Sequence, residues 1–164
     1  MLFRSDGRSV TSSKGARCLG KTYAFRYHGQ VTKSLYTPPQ FQSADRGMAL
    51  TLMREHPFAQ LISVDQDAPF ITPLPLHVIA DGDELVLLGH CAKANPHWRL
   101  LQSQAKAWAV FMGPQAYMSP SVYPDLVRVP TWSYLAVHCA VHATLIEEPE
   151  QKDALLKRII SDHE

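Results

Sequence analysis

The sequence predicts a β-barrel with flanking helices, an α+β domain, and three observations lead there. Short apolar runs bounded by turn residues recur through residues 58–146, few stretches carry a helical period, and the composition can fill one core: of 164 residues, 46% are hydrophobic and 19% charged. No run reaches the roughly 20 unbroken apolar residues of a membrane helix, and no charged start followed by an apolar stretch marks a secretory signal. A cytoplasmic protein with no membrane contact is expected. Cys18, Cys91 and Cys139 are an odd, scattered set without a C-x-x-C pair, which argues against a disulfide framework or a Cys-rich zinc site.

Residues 1–34 read as a leader outside the domain. They carry seven Lys or Arg and one acid, a net +6, whereas residues 35–164 carry nine and fourteen, a net −5. All twelve prolines fall at or after Pro38, and the leader is rich in Ser, Thr, Gly and Arg with no hydrophobic period, so a disordered segment is expected. A basic, acid-poor leader fits an organellar targeting peptide or a nucleic-acid arm. We read it ahead of these as upstream sequence from a misplaced start, with Leu35 marking an alternative start codon.

From Ser43 the elements follow in order. Ser43 or Asp45 can cap a helix whose Ala49, Leu52 and Met53 share a face, and Pro57 stops it. Phe58 to Val64 is a strand, Asp65 to Pro69 a turn, and Phe70 to Ala80 a strand whose Pro73 and Pro75 put it at an edge or a bulge, since each removes a ladder donor. Its carbonyls and remaining amides are then open to a ligand. Asp81-Gly-Asp83 turns into a strand over Leu85–Gly89, and a helix begins near Asn95. Trp108–Met112 and Gln115–Met118 read as strand around a Gly-Pro turn. Thr131–Ile146 is the longest strand, with Val137, Cys139, Val141, Ala143 and Leu145 on one face and His138, Ala140, His142 and Thr144 on the other. A last helix starts near Pro149, with Leu155, Leu156, Ile159 and Ile160 as its apolar stripe.

Gly89-His-Cys-Ala-Lys-Ala-Asn-Pro-His-Trp98 carries the most chemistry. Asn95 is a good N-cap and Pro96 suits a first helical turn, so backbone N–H groups and the positive helix end lie beside Lys93 and His90. Such an arrangement can hold a phosphate, with Lys93 as the point charge and His90 as a hydrogen-bond donor. The bland alternative is an ordinary helix start beside a solvated lysine. His138 and His142 show the H-x-x-x-H spacing, but on a strand they stand roughly 13 Å apart, so no metal site is expected. No G-x-S-x-G elbow, H-E-x-x-H or Walker-type loop is present.

Seven motifs in one order carry a resemblance. Tyr36-Thr-Pro-Pro-Gln-Phe41, His56-Pro-Phe58, Thr72-Pro-Leu-Pro-Leu76, the Gly89–Trp98 segment, Gly113-Pro-Gln-Ala-Tyr117, Ser119-Pro-Ser-Val-Tyr-Pro124 and Val129-Pro-Thr-Trp-Ser-Tyr134 closely resemble the PaiB family of FMN-binding negative transcriptional regulators. The resemblance runs from about Leu35 to Glu164. It implies an FMN-binding split β-barrel related to the pyridoxamine-phosphate oxidase flavoproteins, working as a homodimer with FMN near the subunit interface. Carried over by position, it implies that His90, Lys93 and Asn95 lie near the FMN phosphate, Lys93 standing where Arg is more usual and losing the planar fork. Thr72, Pro73 and Leu74 match the strand along the flavin ring. Ser119, Tyr123, Thr131 and Trp132 match later pocket or interface motifs, and Trp98 and Trp132 are the aromatics expected to stack on the flavin. Family members continue past His163-Glu164 with further strand, so a C-terminally incomplete domain is expected.

Three functions compete. One is a regulatory flavoprotein whose FMN state biases a regulatory protein partner and so represses transcription, indirectly or with that partner. Another is a flavin-dependent oxidoreductase of the split-barrel superfamily, for which the sequence offers no evident proton donor or substrate clamp. The third is a direct DNA-binding repressor using the leader, opposed by the net charge of −5 on residues 35–164 and the lack of a helix-turn-helix signal.

Overall fold

The prolines of the second hairpin decide how this sheet closes. A computed structural model describes residues 20–27, 36, 38–43, 45–81, 84–124, 128–161 and 164. Among them, six antiparallel strands form a ring: β1 (Gly20–Tyr27), β2 (Phe58–Asp65), β3 (Ala68–Asp81), β4 (Glu84–Ala92), β5 (Lys106–Met118) and β6 (Thr131–Ile146). Their order around the ring is β1-β4-β3-β2-β5-β6. Three α-helices accompany them, α1 (Arg46–Glu55), α2 (His97–Ser103) and α3 (Pro149–Ser161). The barrel with flanking helices expected from the sequence is the observed architecture.

β3 changes partner halfway. It pairs with β2 over Ala68–Pro75 and with β4 over Leu76–Asp81. The Leu76 N–H donates to the Pro57 carbonyl at 2.9 Å, on the β2 side. Backbone groups alternate between the two edges of a strand, so even-numbered residues face β2 while Pro69, Ile71, Pro73 and Pro75 turn theirs to the other edge. Three of these four have no N–H to give. That edge offers four carbonyls and the single N–H of Ile71, too few donors for a ladder, and β4 beyond Gly89 keeps only β1 as its partner. The barrel is therefore split between β3 and β4 where the chain enters α2.

α1 forms where the sequence places it. Asp45 is its N-cap, with Oδ1 accepting from the Met48 N–H at 3.0 Å, and Ala49, Leu52 and Met53 are buried. These enter the end of the barrel holding Phe111, Val137 and Cys139, and the Cys139 thiol lies 3.8 Å from the Met53 sulfur. Leu101 of α2 joins the same core, and α2 packs on β2, β3 and β6. Inward residues fill the space between, among them Leu61, Leu76, Leu85 and Leu87.

Two expectations fail in instructive ways. Residues 1–34 were expected outside the domain, yet Gly20–Tyr27 forms β1, pairs with β4 and β6, and buries Phe25 in the core. Its alternating Tyr23, Phe25 and Tyr27 supply a strand pattern that the surrounding Ser, Arg and Gly obscure. The remainder of the leader, like Gly82-Asp83 of the expected hairpin turn, lies outside the described residues. Gly113-Pro114 is not a turn. β5 runs through it, and the register with β6 shifts between Met112 and Gln115, so a bulge absorbs the proline. A Cβ on Gly113 would stand 2.9 Å from Leu52 of α1, which packs against the bulge.

Gly89 marks the tightest approach at the split. A Cβ there would stand 2.7 Å from Leu76, 3.1 Å from Leu74 and 3.2 Å from Phe25. Gly89→Ala therefore overpacks the junction of β1, β3 and β4 and should cost about 1–3 kcal/mol. A lowered denaturant midpoint would be the sign, and an unchanged midpoint would mean the three side chains have room to yield.

Candidate functional site

The split exposes a seam between β3 and the turn that leads from β4 into α2. Outward along it lie Pro73 and Pro75 on β3, His90 on β4, and exposed Lys93 in the turn. Thr72 and Leu74 point inward and are buried, so Leu74 can offer a ligand only its backbone. Among the residues the sequence singled out, Pro73, His90 and Lys93 thus share the outer surface of one seam.

The turn itself is tied down by a closed cycle of hydrogen bonds. The His97 N–H donates to Asn95 Oδ1 at 3.0 Å, which fixes the Asn95 amide so that Nδ2 donates to Thr72 Oγ1 at 3.2 Å. Thr72 Oγ1 then lies 2.7 Å from His97 Nδ1, and His97 Nε2 lies 3.0 Å from Ser63 Oγ. In the neutral ring one nitrogen donates and the other accepts, so one of the two hydroxyls accepts from the ring and the other donates to it. His97 is only 1% exposed and stands against the Phe70 ring, centroids 4.7 Å apart. Desolvation holds its pKa below the ordinary histidine value, so the ring is neutral.

This cycle changes how the turn could meet an anion. Pro96, not the expected Asn95, holds the N-cap position of α2, and Asn95 one residue earlier takes the His97 N–H on its side chain; the Asn95, His97 and Arg99 amides all bond within the segment, to Ala92 O, Asn95 Oδ1 and Pro96 O, and Pro96 has none. The expected array of open helix-terminal N–H groups is thus largely spent inside the turn, leaving the Lys93 ammonium as its cation. Trp98 is half-buried. Its indole N–H donates to the Lys93 carbonyl at 3.0 Å, and the Arg99 guanidinium lies 5.1 Å from its ring centroid, so its ring acts as a brace for the turn.

The remaining residues lie at the other end of the barrel. β4 ends beside α2 and β5 starts there, running away antiparallel to β2 and β6, so Met118 stands on the order of 40 Å of strand from Lys106. Past Met112, β5 pairs only with β6, and the two form an arm bearing exposed Tyr117, Trp132, Tyr134 and Leu135. The Tyr117 and Trp132 rings tilt against each other at 5.9 Å. Thr131 opens β6 opposite Met118, Ser119 caps the turn after β5 through the Ser121 N–H, and Tyr123 ends that turn with Arg128 over its ring at 4.3 Å. Within one chain, Ser119, Tyr123, Thr131 and Trp132 do not meet the seam.

Sequence reasoning missed Ser63 and His97. Ser63 continues the inward parity of Ala59 and Leu61, and Thr72 continues that of Leu74 and Leu76, so two inward hydroxyls on paired strands were the available signal. His138 and His142 share one face of β6, and among the described residues no three His, Cys, Asp or Glu side chains gather to hold a metal.

Burial gives the fold a pH dependence with a definite sign. His90, His97 and His138 all have pKa values lowered by desolvation, so the unfolded chain binds more protons than the folded one below the ordinary value near 6.5. Stability from these groups is full above that pH and is lost as pH falls below it, and His97→Gln should flatten part of that limb in urea titrations between about pH 5 and 7. Burial also raises the Cys91 thiol and pushes Cys139 up to about 12. A thiol reagent at about pH 8 should label neither until the chain unfolds, and labelling of folded protein at either position would contradict this packing.

Comparison with known proteins gives the same direction. Residues 35–164 match the family described as "Putative FMN-binding domain". The chain is 32% identical over 121 residues to the Protease synthase and sporulation protein PAI 2 of Bacillus subtilis, covering 74% of this chain and 58% of that protein. It is also 32% identical over 83 residues to the Uncharacterized protein YKL070W of Saccharomyces cerevisiae, covering 48% of each. The chain thus spans about half the length of the relatives it matches. A match over most of the chain, on the barrel that the sequence predicts, settles the assignment: the chain belongs to the PaiB-type FMN-binding domain family, and FMN is its cofactor.

Proposed function

We propose that this chain is an FMN-binding regulator of the PaiB type that works as a homodimer, the flavin lying along the β3 seam with its phosphate on Lys93. The donor set fits the group. Lys93 supplies the cation for a phosphate, Pro73 and Pro75 supply an apolar wall for a ring, and Ile71 is the one residue on the open edge with both an N–H and a carbonyl to offer an imide. When bound, FMN supplies one- and two-electron redox chemistry. The protein's own part is to anchor the phosphate, wall the ring and shield it from water.

One observation carries the dimer: the exposed aromatic arm and the cationic seam belong to opposite ends of the same barrel. Among the described residues, exposed Phe58 stands opposite Pro75 at the seam, and a two-fold pairing lets each arm reach the other copy's seam and covers Trp132 and Tyr134, each 60% exposed. The regulatory role rests on the family resemblance and is compatible with the name of the Bacillus relative, Protease synthase and sporulation protein PAI 2. Negative regulation of transcription through a protein partner fits the net charge of −5 on residues 35–164 better than direct contact with DNA does.

FMN titration of the full chain, followed by flavin fluorescence, tests the site. Lys93→Ala should weaken binding roughly 10- to 100-fold, the range for losing a charge-assisted hydrogen bond. Trp132→Ala should weaken it too, and mixing the two variants with subunit exchange should restore about a quarter of the sites, because half the dimers then hold one intact site of two. Full-affinity binding by Lys93→Ala would overturn the phosphate assignment. No recovery on mixing would mean that both residues act within one chain.

A further inference from the structure

The cycle around His97 invites the question of what it positions. Its four side chains come from three separate places in the sequence: Ser63 on β2, Thr72 on β3, and Asn95 with His97 at the start of α2. The two links through Asn95 have a fixed direction, and the two ring links take theirs from the tautomer. His97 N–H reaches Asn95, Asn95 reaches Thr72, Thr72 returns to the His97 ring, and the ring's far nitrogen ends on Ser63. One residue is therefore held at its backbone and at both ring nitrogens. A histidine needed only to fill space could be replaced by an apolar ring beside Phe70. This one instead fastens the β4–α2 turn to the floor made by β2 and β3, where the open β3 edge supplies too few N–H groups to do so by a ladder.

We infer that the Ser63–His97–Thr72–Asn95 relay is a positioning device that holds Lys93 at the height above the seam where a phosphate monoester is bound. The inference rests on the reading of Lys93 as the phosphate cation. The relay acts through the turn, because Thr72, Ser63 and the His97 ring are buried and their polar groups are committed to one another. Asn95 and Trp98 transmit the hold. Asn95 N–H bonds Ala92 O, the Trp98 indole bonds Lys93 O, and Lys93 lies between these two ties with its backbone fixed and its side chain free to reach out.

The relay predicts a selective defect, not a general one. Losing the Thr72 hydroxyl should loosen the phosphate end of the site and leave the ring end alone, so the readout is the ratio of FMN affinity to riboflavin affinity in the full chain. Thr72→Val, which keeps the side-chain shape, should reduce that ratio about tenfold, the factor for one uncompensated buried hydrogen bond, while riboflavin binding stays as it was. Thr72→Ser, which keeps the hydroxyl, should recover most of the preference. Ser63→Ala, at the far end of the relay, should lower the ratio in the same sense and serves as the second variant if Thr72→Val fails to fold. Combined with Lys93→Ala, Thr72→Val should add little, because both changes remove the same phosphate contact.

An equal loss of FMN and riboflavin affinity in both variants would show that the relay only holds the fold together and would overturn the inference. Unchanged affinities would overturn it as well. If Thr72→Val leaves the ratio unchanged while Lys93→Ala lowers it, the phosphate assignment stands and the positioning role fails. If Lys93→Ala itself leaves the ratio unchanged, the phosphate assignment fails and the inference falls with it.

Discussion

The split of the barrel at β3 governs the rest of the molecule. A strand with prolines at 69, 73 and 75 can pair through its even-numbered residues, and the partner on that side is β2. On the other side, four carbonyls face outward with one N–H among them, so β4 peels away after Gly89 and continues alongside β1 alone. Residues that would otherwise finish a closed wall form the turn into α2. The opening is thus a consequence of missing donors along one edge, and the site follows from the opening.

A gap in a barrel exposes its core to water unless something fills it. Here the filling is partly polar, which demands that every buried group be satisfied. His97 meets the demand because a neutral imidazole carries one donor and one acceptor on opposite sides, matching hydroxyls from β2 and β3. The same arrangement spends the amides that would otherwise make the helix start an anion cradle. What the turn retains for a ligand is the Lys93 charge, carried on a backbone that does not need to be reorganised on binding.

Much of this is legible in the sequence, and what is not has a common cause. α1, β6 and the split in β3 follow from local signals: an Asp45 cap with apolar spacing, an alternation through Val137, Cys139, Val141 and Ala143, and prolines two apart. β1 is obscure because its eight residues gain meaning only from the slot between β4 and β6, whose pairing partners lie at residues 86–92 and 141–146. The Gly113-Pro114 bulge reads as a turn because a bulge and a turn share their residue types, and only the continuing register on β6 separates them. In the site, His90, Lys93 and Asn95 come from one motif and were found together. Ser63 and His97 were missed because their pairing is non-local, and the aromatic residues of the arm were grouped with the seam although strand polarity sets them at the opposite end.

In the proposed arrangement FMN lies along the β3 seam with its phosphate at Lys93 and its cover drawn from the arm of a second copy. An amide-resolved NMR titration of the full chain with FMN tests this most directly. It should move the Ile71 amide and the Lys93–Trp98 amides together with those of the Tyr117 and Trp132 region, at the tumbling rate of a dimer. Shifts confined to the arm, or to any surface that leaves Ile71 and Lys93 unmoved at saturation, would contradict it.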